Sequence, residues 1–487
     1  MAQIYRCASR VLICLDADDG GHAPRASTIL SRTSERIQRI ASTIDSPAWD
    51  IFPRTNLGDD LHDAQWTSLV VLLSQDWFSR GWVIREAALA RTATVIWGMT
   101  HFAWEQLMQT LVWQARRNFS KKVVTIAQLH PLAHVHAYET QNPQFARMFY
   151  EKADWDPSSL LGYLNCGRGL GLTDARDRIY AFLDMAADSN PVKILPDYSA
   201  SPLEIYWSFA LEYLSSTGDM SLLDYIIHNE GTLVSGLPSW IPCWEKQNHH
   251  FPSTFNDPWR SCKTSGSGRI SVPRLVGRDV LKVEGACFDT IAAASDALNY
   301  ATTTKSTFVE AWQSISSVRK KLVYDYPYHL AAYVSVLSRG MSPVHRSSWE
   351  HMLCDYANDL QYAVDRGNEK TTPASMSDPS NDTTDVTFQS LRIISHNYRL
   401  IVTQRGYLGL APAVAAVGDI CAVIFGSKTT CILRETDRSQ HYTYLGSSYM
   451  LGSRKSDELL AYGHEFGSEQ SKDWVHWDVG EHNIFLS

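Results

Sequence analysis

The sequence predicts an α/β region at its N-terminal end, a mostly helical stretch after it, and a small β-rich domain at its C-terminal end. Residues 1–120 alternate short apolar runs with amphipathic helical patterns, as strands packed beneath helices do. Residues 121–250 show helical periods joined by loops. Residues 251–487 carry short apolar runs at hairpin spacing, interrupted by a helical insertion over 305–366 and a loop over 369–387.

The opening IYRCASRVLICLD reads as the end of a helix followed by the strand VLICL, closed by the polar DADDGGHAPR. In ASTILSRTSERIQRIASTI, the residues Ile29, Leu30, Ile37, Ile40 and Ile44 recur near helical spacing. Helices are also predicted over AQWTSLVVLLSQDWF, over the stretch after Gly81, and over AWEQLMQTLVWQARRNF, with a strand at TATVIWG between the last two. The alternation starts in mid-pattern and holds too few strands for a complete doubly wound sheet. Further on, Ser201-Pro202 marks the start of a helix, since proline suits the first helical turn. The run LKVEGACFD (281–289) is expected to share a sheet with YRLIVTQRG and GDICAVIFG, because neither strand set can bury both faces alone. The Ser, Thr, Asp, Pro and Asn of 369–387 read as a surface loop.

A hydrophobic content of 44% with 16 Trp in 487 residues supplies a large core. The net charge of −8, without a basic stripe, argues against nucleic acid as a partner. Arg6 and Arg10 interrupt the N-terminal apolar residues, so no signal peptide is read there, and no run reaches the ~18 apolar residues of a membrane span. Nine cysteines, none in a CxxC and most in apolar settings such as VLICLD, fit buried reduced thiols in a cytoplasmic protein better than a disulfide framework or a zinc site.

Several short motifs bear on chemistry. GRGLGL (167–172) lacks the preceding strand and the spacing of a nucleotide cradle. His130, His134 and His136 in HPLAHVHAYE lack an HExxH arrangement, and QNHHF is weaker still, so no metal is assigned. No GxSxG elbow and no catalytic cysteine signature is present. WFSRGWVIREAALAR (77–91) is more informative: at helical period Trp82, Glu86, Leu89 and Ala90 share one side, so a carboxylate falls in an apolar stripe. A buried Glu86 requires a cation or N–H donors, and Arg80 or Arg176 is the expected partner, with Trp82 covering the pair. In LTDARDRIYAFLDMA, Asp174 reads as a helix N-cap and Arg176 as a bidentate partner for a neighbouring acid, in a buried ion-pair corner that fixes how this helix meets its neighbour, a reading preferred to a ligand site.

In their order, RCASRVLICLD, WTSLVVLLSQDWFSRGWVIREAALA, LTDARDRIYAFLDMA, ILPDYSASPLEIY and LPSWIPCWE resemble fungal heterokaryon-incompatibility (HET) domain proteins. GYLGLAPAVAAVGDICAVIFGSKTTCILRE and YTYLGSSYMLG resemble the β-rich tail that often follows this domain. The chain departs from the family in having Arg85-Glu86 for Gln-Glu and Asp174-Ala175-Arg176-Asp177 for Asp-Pro-Arg-Asp, and in lacking the family's opening strand segment. The resemblance implies an α/β remnant similar to Toll/interleukin-receptor (TIR) domains. It also implies a role in non-self recognition and regulated cell death, exercised through protein partners, with a homo-oligomer compatible. Because some TIR relatives cleave NAD with a helical glutamate, Glu86 is the one catalytic candidate. The rival readings are an NAD-cleaving hydrolase and an inert truncated paralogue. Trp77, Phe78, Arg80, Trp82, Glu86, Asp174, Arg176, Asp177, Tyr180, Asp197, Tyr198, Trp240 and Pro242 carry the family pattern and are read as structural, and no cofactor is assigned.

Overall fold

The computed structural model describes residues 2–41, 64–117, 160–183, 192–245, 272–325, 329–339, 386–427, 429–453, 477 and 479–487. The histidines 130, 134 and 136, the stretch QNHHF and the loop 369–387, apart from its last two residues, lie outside them. The chain divides into two compact units, one of residues 1–190 with 244–256 and the other of 191–243 with 257–487.

In the first unit, α1 (Ala2–Cys7) leads to β1 (Val11–Cys14) and α2 (Ala23–Ala41). The Asp18 carboxylate accepts the backbone N–H groups of His22 (2.8 Å) and Ala23 (2.8 Å), satisfying amides that the first turn of α2 leaves unpaired. Ala26, Ile29, Leu30, Thr33, Ser34 and Ile37 form the buried stripe of that helix, three and four residues apart. Ser34 Oγ closes the stripe by donating to Gln109 Oε1 at 2.7 Å. Next come α3 (Ala64–Leu73), a 3₁₀ turn over Asp76–Ser79 and α4 (Trp82–Ala88). Then follow β2 (Ala93–Trp97), β3 (Thr100–Ala103) and α5 (Trp104–Arg117). The sheet runs β1-β2-β3, with β1 parallel to β2 and β3 antiparallel. After a gap in the described residues comes α6 (Leu160–Gly167).

Three local expectations need correction. α4 stops at Ala88 with Leu89 as its C-cap, so Ala90 lies beyond the helical stripe. β3 was not foreseen; its signal is the two-residue Gly98-Met99 turn, whose first position takes φ +57 and so calls for glycine. Cys14, expected to be buried within VLICLD, is exposed, because alternation along β1 turns Ile13 inward and its neighbours outward.

In the second unit, α7 (Pro202–Thr217) begins with a full capping box between Ser201 and Glu204, has Pro202 in its first turn, and ends at Gly218 with φ +64. Its strands are β4 (Arg274–Val276), β5 (Val280–Ala294), β6 (Tyr398–Thr403), β7 (Leu408–Pro412), β8 (Ile420–Ile424), β9 (Thr430–Glu435), β10 (His441–Met450) and β11 (Glu481–Leu486). β5 pairs with both β6 and β8, β8 with β9, β9 with β10, β10 with β7, and β7 with β6. These pairings close a ring, and closure is what removes reactive strand edges from a sheet. As expected, 281–289 lies in one sheet with 398–403 and 420–424. β11 was not foreseen; it lies antiparallel to β5 and parallel to β10.

Alternation assigns the two barrel faces. Ala286, Phe288, Ile291, Ile401, Cys421, Val423, Ile432 and Met450 pack in one cluster. Leu400, Val402, Leu408 and Leu410 face the other way, against Phe308 and Trp312 of α8 (Lys305–Ser314), Tyr333 of α9 (His329–Leu337) and Phe388 of α10 (Val386–Ile394). Strands covered on both sides read as unbroken apolar runs rather than alternating ones, and all five residues of β7 are buried. The turn before β8 is locked by Arg434, which grips Asp419 with Nε (2.8 Å) and Nη2 (2.8 Å) and also donates to the Val414 carbonyl.

Gly406, in the β6–β7 turn, has φ +91, and a Cβ built there would stand 1.9 Å from the Lys321 carbonyl oxygen. Gly277 has φ +69 with open space around it. Gly277→Ala should therefore cost the ~1–3 kcal/mol of left-handed strain alone. Gly406→Ala should cost clearly more, as read from urea unfolding followed by tryptophan fluorescence.

Candidate functional site

The two most family-like segments of the first unit are joined by backbone. The Gly81 N–H donates to the Gly171 carbonyl at 2.8 Å, and the Gly171 N–H to the Ser79 carbonyl at 2.7 Å. Approach this close needs small residues: a Cβ on Gly81 would stand 2.5 Å from Cγ of Leu172. Gly167 is pressed equally hard, with the Phe182 ring 2.6 Å from where its Cβ would be. In GRGLGL, Gly167 thus permits close packing and Gly171 carries the backbone join.

Side chains extend the junction. Trp82 Nε1 donates to Asp177 Oδ2 at 3.3 Å, and Asp177 is 9% exposed. Asp177 opens a single helical turn that runs to Tyr180, and Ile179, Tyr180 and Phe182 are buried behind it. Buried Arg178 donates to the Gly167 carbonyl at 2.7 Å, and the Arg168 guanidinium stacks 4.6 Å from the Trp244 ring centre. Trp77, Phe78 and Trp104 form an aromatic cluster, with Trp77 edge-on to both neighbours.

Arg176 closes on Asp174 as a bidentate pair, Nε to Oδ1 at 2.9 Å and Nη2 to Oδ2 at 2.7 Å. Asp174 Oδ1 also accepts the Arg176 amide at 2.9 Å. Asp174 is therefore a turn former and not the expected N-cap, a position that Arg176 occupies. The pair is partly exposed rather than a buried corner. The guanidinium and amide of Arg176 hold the Asp174 carboxyl below the usual carboxylate range.

The expected Arg–Glu86 ion pair is not formed among the described residues. Glu86 is half-buried and accepts a hydrogen bond from the Tyr5 hydroxyl of α1. Access to water and a neutral donor replace the cation that a fully buried carboxylate would need. Burial, then the Glu86 charge and hydrogen bond, push the Tyr5 pKa up, while Arg85 and Arg80 oppose the shift. Trp82, expected to cover such a pair, points its indole N–H at Asp177 and has the Arg85 guanidinium 5.7 Å from its ring. Nothing in the sequence marks Tyr5 as the partner; the packing of α1 against α4 does.

The remaining pattern residues lie in the second unit. Asp197 accepts from the Ser199 amide (2.8 Å) and hydroxyl (2.6 Å) in an exposed turn, beside Tyr198, which is 51% exposed. Trp240 is fully buried and its Nε1 donates to the Asp279 carbonyl at 2.8 Å; Pro242 is buried beside it. The preceding Ser239 hydroxyl accepts the Tyr444 amide at 2.8 Å, fastening this motif to β10. Sequence reading passed over Asp224, which receives Thr429 Oγ1 (2.7 Å) and Ser447 Oγ (3.1 Å) at the barrel.

A lowered carboxyl pKa stabilises the fold above the ordinary value of about 4 and loses that contribution as pH falls through the folded value. Asp174→Asn should accordingly cost ~0.2–1 kcal/mol at pH 7, as partly exposed pairs do, and progressively less as pH falls through the folded value. Trp82→Phe, which removes one donor to a carboxylate, should cost ~1.5–3 kcal/mol. A double-mutant cycle with Asp177→Ala should return most of that as coupling energy.

Among the described residues no helix is long and apolar enough to cross a membrane. No curated protein and no solved structure matches the chain in the comparisons. Residues 1–86 match the family described as heterokaryon incompatibility protein (HET), and residues 285–458 match the Het-6 beta-barrel domain. The second match falls on the strands that form the closed ring, and the first takes in α1 to Glu86. The chain thus carries a heterokaryon-incompatibility (HET) domain match at its N-terminal end and a Het-6 barrel domain match over its later strands.

Proposed function

We propose that this protein acts in fungal heterokaryon incompatibility, in non-self recognition leading to regulated cell death, through contacts with protein partners in the cytoplasm and without turnover of its own. The observation that carries this reading is how the acids of the joined motifs are used. Asp174 is held by Arg176, Asp177 by Trp82 and Glu86 by Tyr5, so each is tied within its own unit. A catalytic carboxylate has to be aimed at a substrate and set at a working pKa by its surroundings, whereas these are aimed at neighbouring elements. The parallel β1–β2 pair under α2 supports a TIR-like ancestry for the first unit.

The rival reading, an NAD-cleaving hydrolase that uses Glu86, makes a different prediction. Purified full-length protein incubated with NAD should release nicotinamide no faster than buffer, and expression in a filamentous fungus should arrest growth equally for wild type and Glu86→Gln. Nicotinamide release that Glu86→Gln abolishes would establish the hydrolase instead. Absence of any growth phenotype would favour an inert paralogue.

A further inference from the structure

Among the described residues no strand covers the outer edge of β1, and the chemistry of that edge is complementary to itself. The amides of Val11 and Leu15 donate to the carbonyls of Thr92 and Ile96, so those of Leu12 and Cys14 face away from β2. Among the described residues β1 pairs with β2 alone. The side chains alternate with equal regularity. Ile13 is buried, and Val11 and Leu15 are half-buried, on one face; Arg10, Leu12, Cys14 and Asp16 are all exposed on the other. Leu12 is 59% exposed. Folded proteins blunt such an edge with proline, a bulge or charged side chains, and of these RVLICLD holds only the two end charges, Arg10 and Asp16.

We propose that this edge joins two copies of the chain, β1 to β1 antiparallel about a two-fold axis through Ile13. Leu12 of one copy then lies opposite Cys14 of the other, and their outward N–H and C=O groups form a hydrogen-bonded pair. Arg10 falls opposite Asp16 of the second copy, twice over because of the symmetry. Centring the axis on Leu12 would set Arg10 against Cys14, and centring it on Cys14 would set Leu12 against Asp16. The Ile13 register alone pairs the charges, and both of these side chains are exposed and available. The charge pattern of the strand is thus what names the occupant: it complements its own copy. The union makes one continuous six-stranded sheet from the two three-stranded ones. The inference stands apart from whether the protein turns over NAD, and its test reads a different quantity.

Sedimentation velocity of the full chain over rising concentration should show a monomer passing to a dimer, weakened by salt. Leu12→Pro removes only an outward-facing amide, a change that edge strands tolerate, and should leave a folded monomer. Arg10→Asp should weaken the dimer several-fold, and adding Asp16→Arg should restore it. That rescue keeps the test sharp even if Leu12→Pro fails to fold. In a Cys7→Ser background, Leu12→Cys should give a disulfide-linked dimer with copper phenanthroline that disappears with Cys14→Ser, since paired Cα atoms ~5.5 Å apart suit a disulfide. A monomer at every concentration, whether the edge is empty or filled by another part of the chain, would overturn the proposal. So would a dimer indifferent to Leu12→Pro and to both charge reversals.

Discussion

The second unit depends on one strand. β5 spans Val280–Ala294, pairs with β8 along one stretch and with β6 along another, and carries register shifts between Cys287 and Asp289 and between Ile291 and Ala293. A straight strand of that length could not serve two differently directed neighbours; bulges supply the bend and added twist that let a sheet close. Because β5 precedes the remaining ring strands by about a hundred residues, its pairing must form across a long insertion. The entropic cost of closing so long a loop grows only slowly with its length. Once the ring is shut, the backbone groups of its strands are satisfied from both sides, and α8, α9 and α10 can cover β6 and β7 without competing for them.

The first unit has no such ring and relies on local joints. The 79–81 backbone meets Gly171 through two short hydrogen bonds, and Trp82 reaches Asp177 just beyond. Bonds of this kind constrain direction as well as distance. They hold WFSRGW and LTDARDRIY against each other while leaving Glu86, one helical turn past Trp82, on the side of α1. The joint tolerates no Cβ at Gly81 or Gly167 without displacing an apolar side chain. Within GRGLGL, Gly167 is accounted for by packing against the Phe182 ring, and Gly171 by its backbone pairing with 79–81.

Much of this was legible in the sequence, for reasons that can be named. The capping box at Ser201 and Glu204, the buried stripe of α2, and the order of the apolar runs in the barrel depend on residues close together in the chain. So does the bidentate Arg176–Asp174 pair, two residues apart. What stayed hidden depends on meetings across long separations. Tyr5 and Glu86, Trp82 and Asp177, and Asp224 with Thr429 and Ser447 are ordinary residues until the fold brings them together. β11 was missed because EHNIFL is short and polar at its start, and its apolar half becomes a strand only with β5 and β10 to pair with.

The long-range side-chain pairing expected of Glu86, with an arginine, is not the one the fold makes. The expectation assumed that a carboxylate within an apolar helical stripe must be buried. Of the stripe expected at Trp82, Glu86, Leu89 and Ala90 only Leu89 is buried; the other three are half-buried, and Val83, Arg85 and Ala87 are buried instead. At Glu86 a phenol hydroxyl and water suffice, and a cation would gain little because its own desolvation offsets much of the Coulomb term. Arg80 is left exposed and Arg176 engages an acid two residues away, where a planar fork can use both carboxylate oxygens with little loss of freedom. Local geometry decided which acid took the arginine: Arg176 closes on Asp174, and Glu86 receives the neutral donor Tyr5.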